Sequence, residues 1–282
     1  MQKITPFLWY DGQAEEAAKF YTSLFKNSSV DNVNPMITNF QLNGMKFMAL
    51  NGGPQFKFSN AISLFVTCNN FDEIDLLWQK LSEDGTVLMG LNEYPWSKKY
   101  GWVNDKFGLS WQLFFGDKDQ QIAPTLLFVK EQFGNAEAAI DLYTSLFDTS
   151  EKVAVTRFGD AYPGFENNIQ FAEFELCGQS FRAMESQMEH NFGFNEAFSF
   201  FVSCENQEEV DFFWDQLIAN GGEESQCGWL KDKFGISWQV IPKLLIQLMS
   251  DKKQEKASRV MNAMLQMKKI DCQKLQDTYD GK

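Results

Sequence analysis

Apolar positions along this chain follow two alternating periods. Pro6-Phe7-Leu8-Trp9-Tyr10 is a short, unbroken apolar run of the kind a buried strand shows. After it, Ala14, Ala17, Phe20 or Tyr21, and Leu24 recur every three to four residues, with Glu15, Glu16 and Lys19 between them, which predicts an amphipathic helix. Two strand-like runs, residues 37–42 and 46–50, then flank Asn43-Gly44. That dipeptide predicts a tight hairpin, because both residues tolerate positive φ. The succession restarts at the apolar run 61–66, followed by a helical face of Ile74, Leu77 or Trp78, and Leu81, and by two closing strands. The repeating element is βαβββ, with the middle strands less sharply marked.

The same order then returns. Residues 124–129 read as a strand, and Ala136, Ala139 or Ile140, Tyr143 and Leu146 as a helix. Runs 169–176 and 180–184 flank Cys177-Gly178, run 197–202 opens the last unit, and Val210, Phe213 or Trp214, and Leu217 make its helical face. The strongest match is a word: Asp105-Lys106-Phe107-Gly108-Leu109-Ser110-Trp111-Gln112 recurs as Asp232-Lys233-Phe234-Gly235-Ile236-Ser237-Trp238-Gln239. Each copy follows a Gly-Trp pair, Gly101-Trp102 and Gly228-Trp229. A repeat this long is a duplicated domain, since solenoid repeats are about 20–50 residues. The expected boundaries are residues 1–118, residues 119–243, and a helical C-terminal extension, residues 244–282. In the extension Ala257, Val260 or Met261, Met264 and Met267 form one apolar stripe. The copies differ at a closing hairpin, residues 86–100 in the first against 222–227 in the second, and at an insertion over residues 130–133.

Bulk composition narrows the functional classes. An apolar fraction of 44%, with 15% aromatics, supports two packed cores in 282 residues. The net charge of −13 repels phosphate backbones and anionic lipid, so neither nucleic acid nor a membrane surface is expected as a partner. No apolar run approaches the roughly 18 residues that span a bilayer. Residues 1–4 lead into a strand without a signal-peptide core, and the five cysteines form no CxxC pair. The expectation is a reduced, cytoplasmic protein.

Paired βαβββ units, Phe20-Tyr21 in the first helix, and the closing D-x-F-G-x-x-W-Q word resemble the vicinal oxygen chelate superfamily. That superfamily includes glyoxalase I, bleomycin-resistance proteins and extradiol dioxygenases. Within it the chain is most similar to the PhnB-like subfamily often labelled 3-demethylubiquinone-9 3-methyltransferase. The words carrying this are residues 4–17, residues 226–242, and the tail around residues 248–251 and 259–271. The resemblance implies an α+β fold of two tandem domains, each of paired βαβββ units whose mixed sheet curls around a cleft, with helices outside. In metal-using relatives a His on a first strand and a Glu on a closing strand hold a divalent ion. Here the closing-strand position matches Gln112 and Gln239, and the second unit's first strand offers Ser63 and Ser199.

One histidine, His190, serves the whole chain, and an amide is a weak neutral ligand, so no conventional metal site and no cofactor is expected. Weak recruitment of a divalent ion stays open. No glycine-rich strand-to-helix turn is present for a nucleotide-like cofactor, which leaves the methyltransferase label without a sequence basis. If Gln112 faces the cleft, strand alternation puts Ser110 there as well, with Ser63 and Phe65 on the neighbouring strand. The second copy offers Gln239, Ser237, Ser199 and Phe201, and Glu185 is a candidate carboxylate. Such a lining suits a neutral or aromatic small molecule. An equal alternative is that these side chains fill the barrel interior. Asp105 and Asp232 are read as holding the turn before the closing strand. Three functions stay open: a metal-free small-molecule binder, a metal-recruiting lyase, isomerase or dioxygenase, and a non-catalytic structural or regulatory duplicate. Intrachain domain pairing in a monomer and a homodimer are both compatible with the duplication.

Overall fold

Alternation and helical spacing translate directly into elements. The computed structural model describes residues 2–282 as four successive βαβββ units and a helical tail. The first unit comprises β1 (Ile4–Tyr10), α1 (Ala14–Leu24), β2 (Ser29–Val33), β3 (Ile37–Leu42) and β4 (Met45–Asn51). The second has β5 (Ile62–Cys68), α2 (Phe71–Ser82), β6 (Thr86–Tyr94), β7 (Ser97–Asn104) and β8 (Ser110–Phe115). The third has β9 (Gln121–Phe128), α3 (Ala136–Leu146), β10 (Glu151–Arg157), β11 (Ile169–Leu176) and β12 (Gln179–Glu185). The fourth has β13 (Phe198–Cys204), α4 (Gln207–Ile218), β14 (Glu223–Glu224), β15 (Trp229–Lys231) and β16 (Ser237–Pro242). Helices α5 (Lys243–Met249), α6 (Gln254–Met264) and α7 (Cys272–Asp280) complete the chain. The insertion over 130–133 is a 3₁₀ turn, Lys130–Gln132.

The hairpins form as their turn residues require. Asn43 and Gly44 have φ of 48° and 82°, and Cys177 and Gly178 have 52° and 71°. These paired positive values twist a two-residue loop to match its strands.

Two mixed eight-stranded sheets result, ordered β14-β15-β16-β13-β1-β4-β3-β2 and β10-β11-β12-β9-β5-β8-β7-β6. Each joins two βαβββ units, as expected, but the partners come from different copies: the second unit pairs with the third, and the first with the fourth. Hydropathy period is the same in all four units, so it does not encode which unit pairs with which.

The chain divides into a compact unit of residues 6–198 and another of the N-terminal residues through Thr5 with Ser199–Lys282. The first contains the whole sheet of the second and third units, centred on antiparallel β5 and β9, with Ser63 opposite Thr125. It also contains α1, whose Tyr21 packs against both Phe40 and Trp111. In the other unit, the Ser203 N–H donates to the Lys3 carbonyl, and β16 runs parallel to β13. There the helical tail buries Val260, Met267, Ile270 and Leu275, and the N–H groups of Cys227 and Gly228 donate to Met267 and Lys268. No helix among the described residues is long and apolar enough to cross a membrane.

Candidate functional site

The duplicated word is a machine for placing one strand. The Asp105 carboxylate accepts hydrogen bonds from the N–H groups of Phe107 (2.8 Å) and Leu109 (3.1 Å) through Oδ1, and from Trp111 Nε1 (2.8 Å) through Oδ2. Gly108 sits at φ +85° with open space where a Cβ would be, so its role is conformational. Burial pushes the Asp105 carboxyl above its ordinary pKa, opposed by hydrogen bonds from Tyr21, Trp111 and the turn N–H groups. Asp232 repeats the turn and indole contacts: Phe234 N (2.9 Å), Ile236 N (3.1 Å) and Trp238 Nε1 (2.8 Å). Trp111 is wholly buried beneath α1, with ring centroids 5.2 Å from Tyr21 and 5.6 Å from Phe25. Strand alternation then presents Gln112 on the opposite face.

On that face both ends of the Gln112 amide have partners. Its Nε2 donates to Ser63 Oγ (2.7 Å), and its Oε1 accepts from the Tyr100 hydroxyl (2.8 Å). Ser110 accepts from Trp102 Nε1 at 2.7 Å. Burial raises the Tyr100 hydroxyl pKa well above its ordinary value, so it stays a donor at neutral pH. Phe65 lies beside Gln112 in the parallel β5–β8 register and carries aromatic neighbours on either side, Phe114 at 5.5 Å and Phe171 at 6.0 Å. The hairpin closed by β6 and β7 ends in Tyr94 and Trp96, stacked at 5.0 Å and both edge-on to Tyr100. Trp96 is 56% exposed.

The largest addition to the expected site is Arg182 on β12. Its guanidinium lies over the Phe65 ring at 4.0 Å and within 5.8 Å of Phe171, and the residue is only 3% exposed. Nη2 donates to Thr67 Oγ1 (2.8 Å) and stands 3.3 Å from the Glu173 carboxylate. Nε and Nη1 are buried without a protein acceptor. Burial lowers its pKa to about 10, against the pull of Glu173, so it remains charged at neutral pH. The lining of amides and hydroxyls read from the sequence therefore includes a charge. The one signal in the sequence was an arginine within a β-strand of a chain with 25 Lys and Arg together, which by itself names no neighbour.

The second copy is built differently around the same core. Gln239 Nε2 donates to Ser199 Oγ (3.0 Å), and Ser237 Oγ is buried without a partner where Ser110 has Trp102. Trp229 stands opposite Gln239 as Trp102 stands opposite Gln112, so the place of Tyr100 falls to Cys227, before β15 begins. Phe201 is buried at 8% exposure. In the first unit the register partners equivalent to Thr125 and Arg182 are Phe7 and Met48, so no guanidinium is present there.

Glu185 does not join Gln112. Two residues share a face of β12 only at even spacing, and Glu185 lies at odd spacing from Arg182. Its Oε1 accepts from Ala136 N (2.8 Å) at the start of α3, and its Oε2 accepts from Ile169 N (2.8 Å) and Asn168 Nδ2 (2.9 Å). Asn51 does the same for Ala14 at the start of α1 (2.9 Å). Glu185→Ala is expected to cost about 1–2 kcal/mol, the usual loss of an acceptor at a helix start, read as a lower urea midpoint at unchanged slope. An unchanged midpoint would show that water replaces the carboxylate.

The side chains on this face do not fit a resident divalent ion. Ser63 and Gln112 are neutral and bonded to each other, and Arg182 contributes positive charge. The nearby carboxylate, Glu173, is taken up by Arg182 and, at 3.8 Å, by Lys118. Among the described residues no three His, Cys, Asp or Glu side chains gather as a metal would need. His190 is bound to Ser186 at 2.8 Å beside Phe192.

The glycine pairs are also accounted for. A Cβ on Gly52 would meet the Trp9 indole at 2.3 Å, and Trp9 Nε1 donates to the Gly53 carbonyl. A Cβ on Gly222 would meet Ile218 Cα at 2.5 Å. Gly52 and Gly222 thus serve close packing, while their partners Gly53 and Gly221 supply positive φ, 87° and 116°.

The sequence matches the family model described as 3-demethylubiquinone-9 3-methyltransferase twice, over residues 2–114 and 120–241. The PhnB protein of Bacillus cereus is 44% identical over 41% of this chain and 100% of its own, with a TM-score of 0.40. Glyoxalase I of Zea mays is similar in fold, with a TM-score of 0.53 at 9% identity, covering 83% of this chain and 92% of its own. A glyoxalase-related enzyme of Fulvimarina pelagi covers 44% of this chain and 98% of its own at 17% identity and a TM-score of 0.33. Among curated proteins none matches.

Proposed function

The chain belongs to the 3-demethylubiquinone-9 3-methyltransferase family, represented by two tandem copies, and from that premise we propose that it binds a small aromatic molecule without a resident metal ion. The binding face is that of the sheet running β10 to β6. The observation that carries this reading is an aromatic cluster joined to a hydrogen-bonded amide: Phe65 lies among Tyr100, Phe114 and Phe171, and the Tyr100 hydroxyl donates to Gln112. Rings of this kind recognise a ring by stacking or edge contact, worth about 0.5–1.5 kcal/mol beyond burial for each pair. The Tyr94–Trp96 stack at the hairpin tip supplies an exposed aromatic entrance. Binding in place of methyl transfer is supported by Gly52 and Gly222, whose space is taken by Trp9 and Ile218.

Native mass spectrometry of the purified chain, followed by thermal-shift screening of aromatic metabolites, tests the reading. The expected results are a co-purified species released on unfolding and a saturable rise in Tm with free ligand. At 100 times Kd the stabilisation is about 2.7 kcal/mol. Trp96→Ala is expected to weaken binding while leaving the unliganded Tm within a degree or two, because Trp96 is largely exposed. No co-purified species and no stabilisation across the panel would sink the proposal.

A further inference from the structure

We propose that the molecule bound on this face carries a carboxylate, and that Arg182 takes it. The inference rests on the binding reading above and specifies the ligand's charge. Arg182 carries five N–H donors, and its contacts with β5 and β11 use only Nη2, on Thr67 and Glu173. Nε and Nη1 are left buried and unpartnered beside Phe65. A guanidinium removed from water costs several kcal/mol unless its charge and donors are answered. Glu173 answers them in part: it is 27% exposed and shared with Lys118.

The fold itself does not demand an arginine. The equivalent register position in the first unit is Met48, paired with Phe7 as Arg182 is paired with Thr125. An unbranched apolar side chain therefore satisfies this βαβββ packing. What the guanidinium adds over methionine is positive charge and planar donors, which match a carboxylate. The Phe65 and Phe171 rings beside it match an aromatic ring bearing that carboxylate.

The experiment compares benzoate, benzamide and phenyl phosphate by calorimetric titration on the full chain, with the wild type, Arg182→Met and Arg182→Lys. Arg182→Met installs what the first unit already carries, and circular dichroism with a urea midpoint confirms that it folds. The expected result is benzoate bound about tenfold or more tighter than benzamide by the wild type, as loss of a charge-assisted hydrogen bond predicts. Arg182→Met is expected to abolish that preference while leaving benzamide binding within about twofold, and Arg182→Lys to keep part of it. Equal binding of acid and amide, or a preference that survives Arg182→Met, overturns the inference but leaves the binding reading standing. Phenyl phosphate bound tenfold tighter than benzoate overturns the carboxylate assignment. If none of the three binds and no species co-purifies, the binding reading itself falls.

Discussion

Replacing Asp105 with alanine is expected to lower the stability of this protein by about 3–4 kcal/mol. The substitution strands the Leu109 N–H and the Trp111 indole N–H, both buried, and the part-buried Phe107 N–H. Each buried donor left without an acceptor costs about 1–3 kcal/mol, and relief of the carboxylate's own desolvation returns part of the sum. Urea unfolding followed by far-ultraviolet circular dichroism reads the change, and a loss below about 1 kcal/mol would mean the turn finds other acceptors. Asp105→Asn separates the two edges of the carboxylate. Its amide oxygen can serve Phe107 and Leu109, while its NH2 then faces the Trp111 N–H, donor against donor. The cost of Asn is therefore expected to shrink by about 1 kcal/mol in a Trp111→Phe background, as a double-mutant cycle measures.

The same carboxyl has a pH signature. Burial raises its folded-state pKa above the unfolded value of about 3.9. The folded state thus holds the proton more tightly, and the stability this contributes is complete below about pH 3.9 and lost as pH rises through the folded value. Relative to Asp105→Asn, which does not titrate, the wild type is expected to lose ground between pH 3.5 and pH 7. A constant difference between their urea midpoints over that range would contradict the shift.

Trp111→Ala is expected to cost about 3–5 kcal/mol, the range for removing a large buried aromatic. The indole is 0% exposed, touches Tyr21 and Phe25 of the first unit, and donates to Asp105. Its removal leaves a cavity beneath α1 that the rigid β8 register cannot close. Trp111→Phe keeps much of the volume and is expected to lose under half as much. Trp238→Ala should behave alike, since Trp238 is 1% exposed, lies tilted against Phe200 at 5.2 Å and donates to Asp232. Thermal unfolding of the three single variants decides this, and a Trp111→Ala protein within 1 kcal/mol of wild type would show the core repacks.

Much of this molecule was legible in the chain because its signals are local. Period-two runs became strands, period-three-to-four runs became α1 to α4, and Asn43-Gly44 and Cys177-Gly178 became two-residue turns with positive φ. The repeated word declared its own chemistry: an aspartate, a left-handed glycine and a tryptophan within seven residues close on one another wherever they occur. From that anchor, alternation correctly put Trp111 under the helix and Gln112 on the other face. The same parity governs Glu185, whose place at the start of α3 depends on where Ala136 and Ile169 come to lie.

The sequence by itself determined the duplication, the elements, the turns and the side chains that position each closing strand, since all of these follow from contacts within a few residues. Tertiary structure decided which units share a sheet and what surrounds Gln112. Strand partnership and the burial of Arg182 on Phe65 join residues 65 and 182, brought together only when β12, β9 and β5 lie side by side. No periodicity reports such a contact, because a strand's hydropathy records that a face is buried and not which residues bury it.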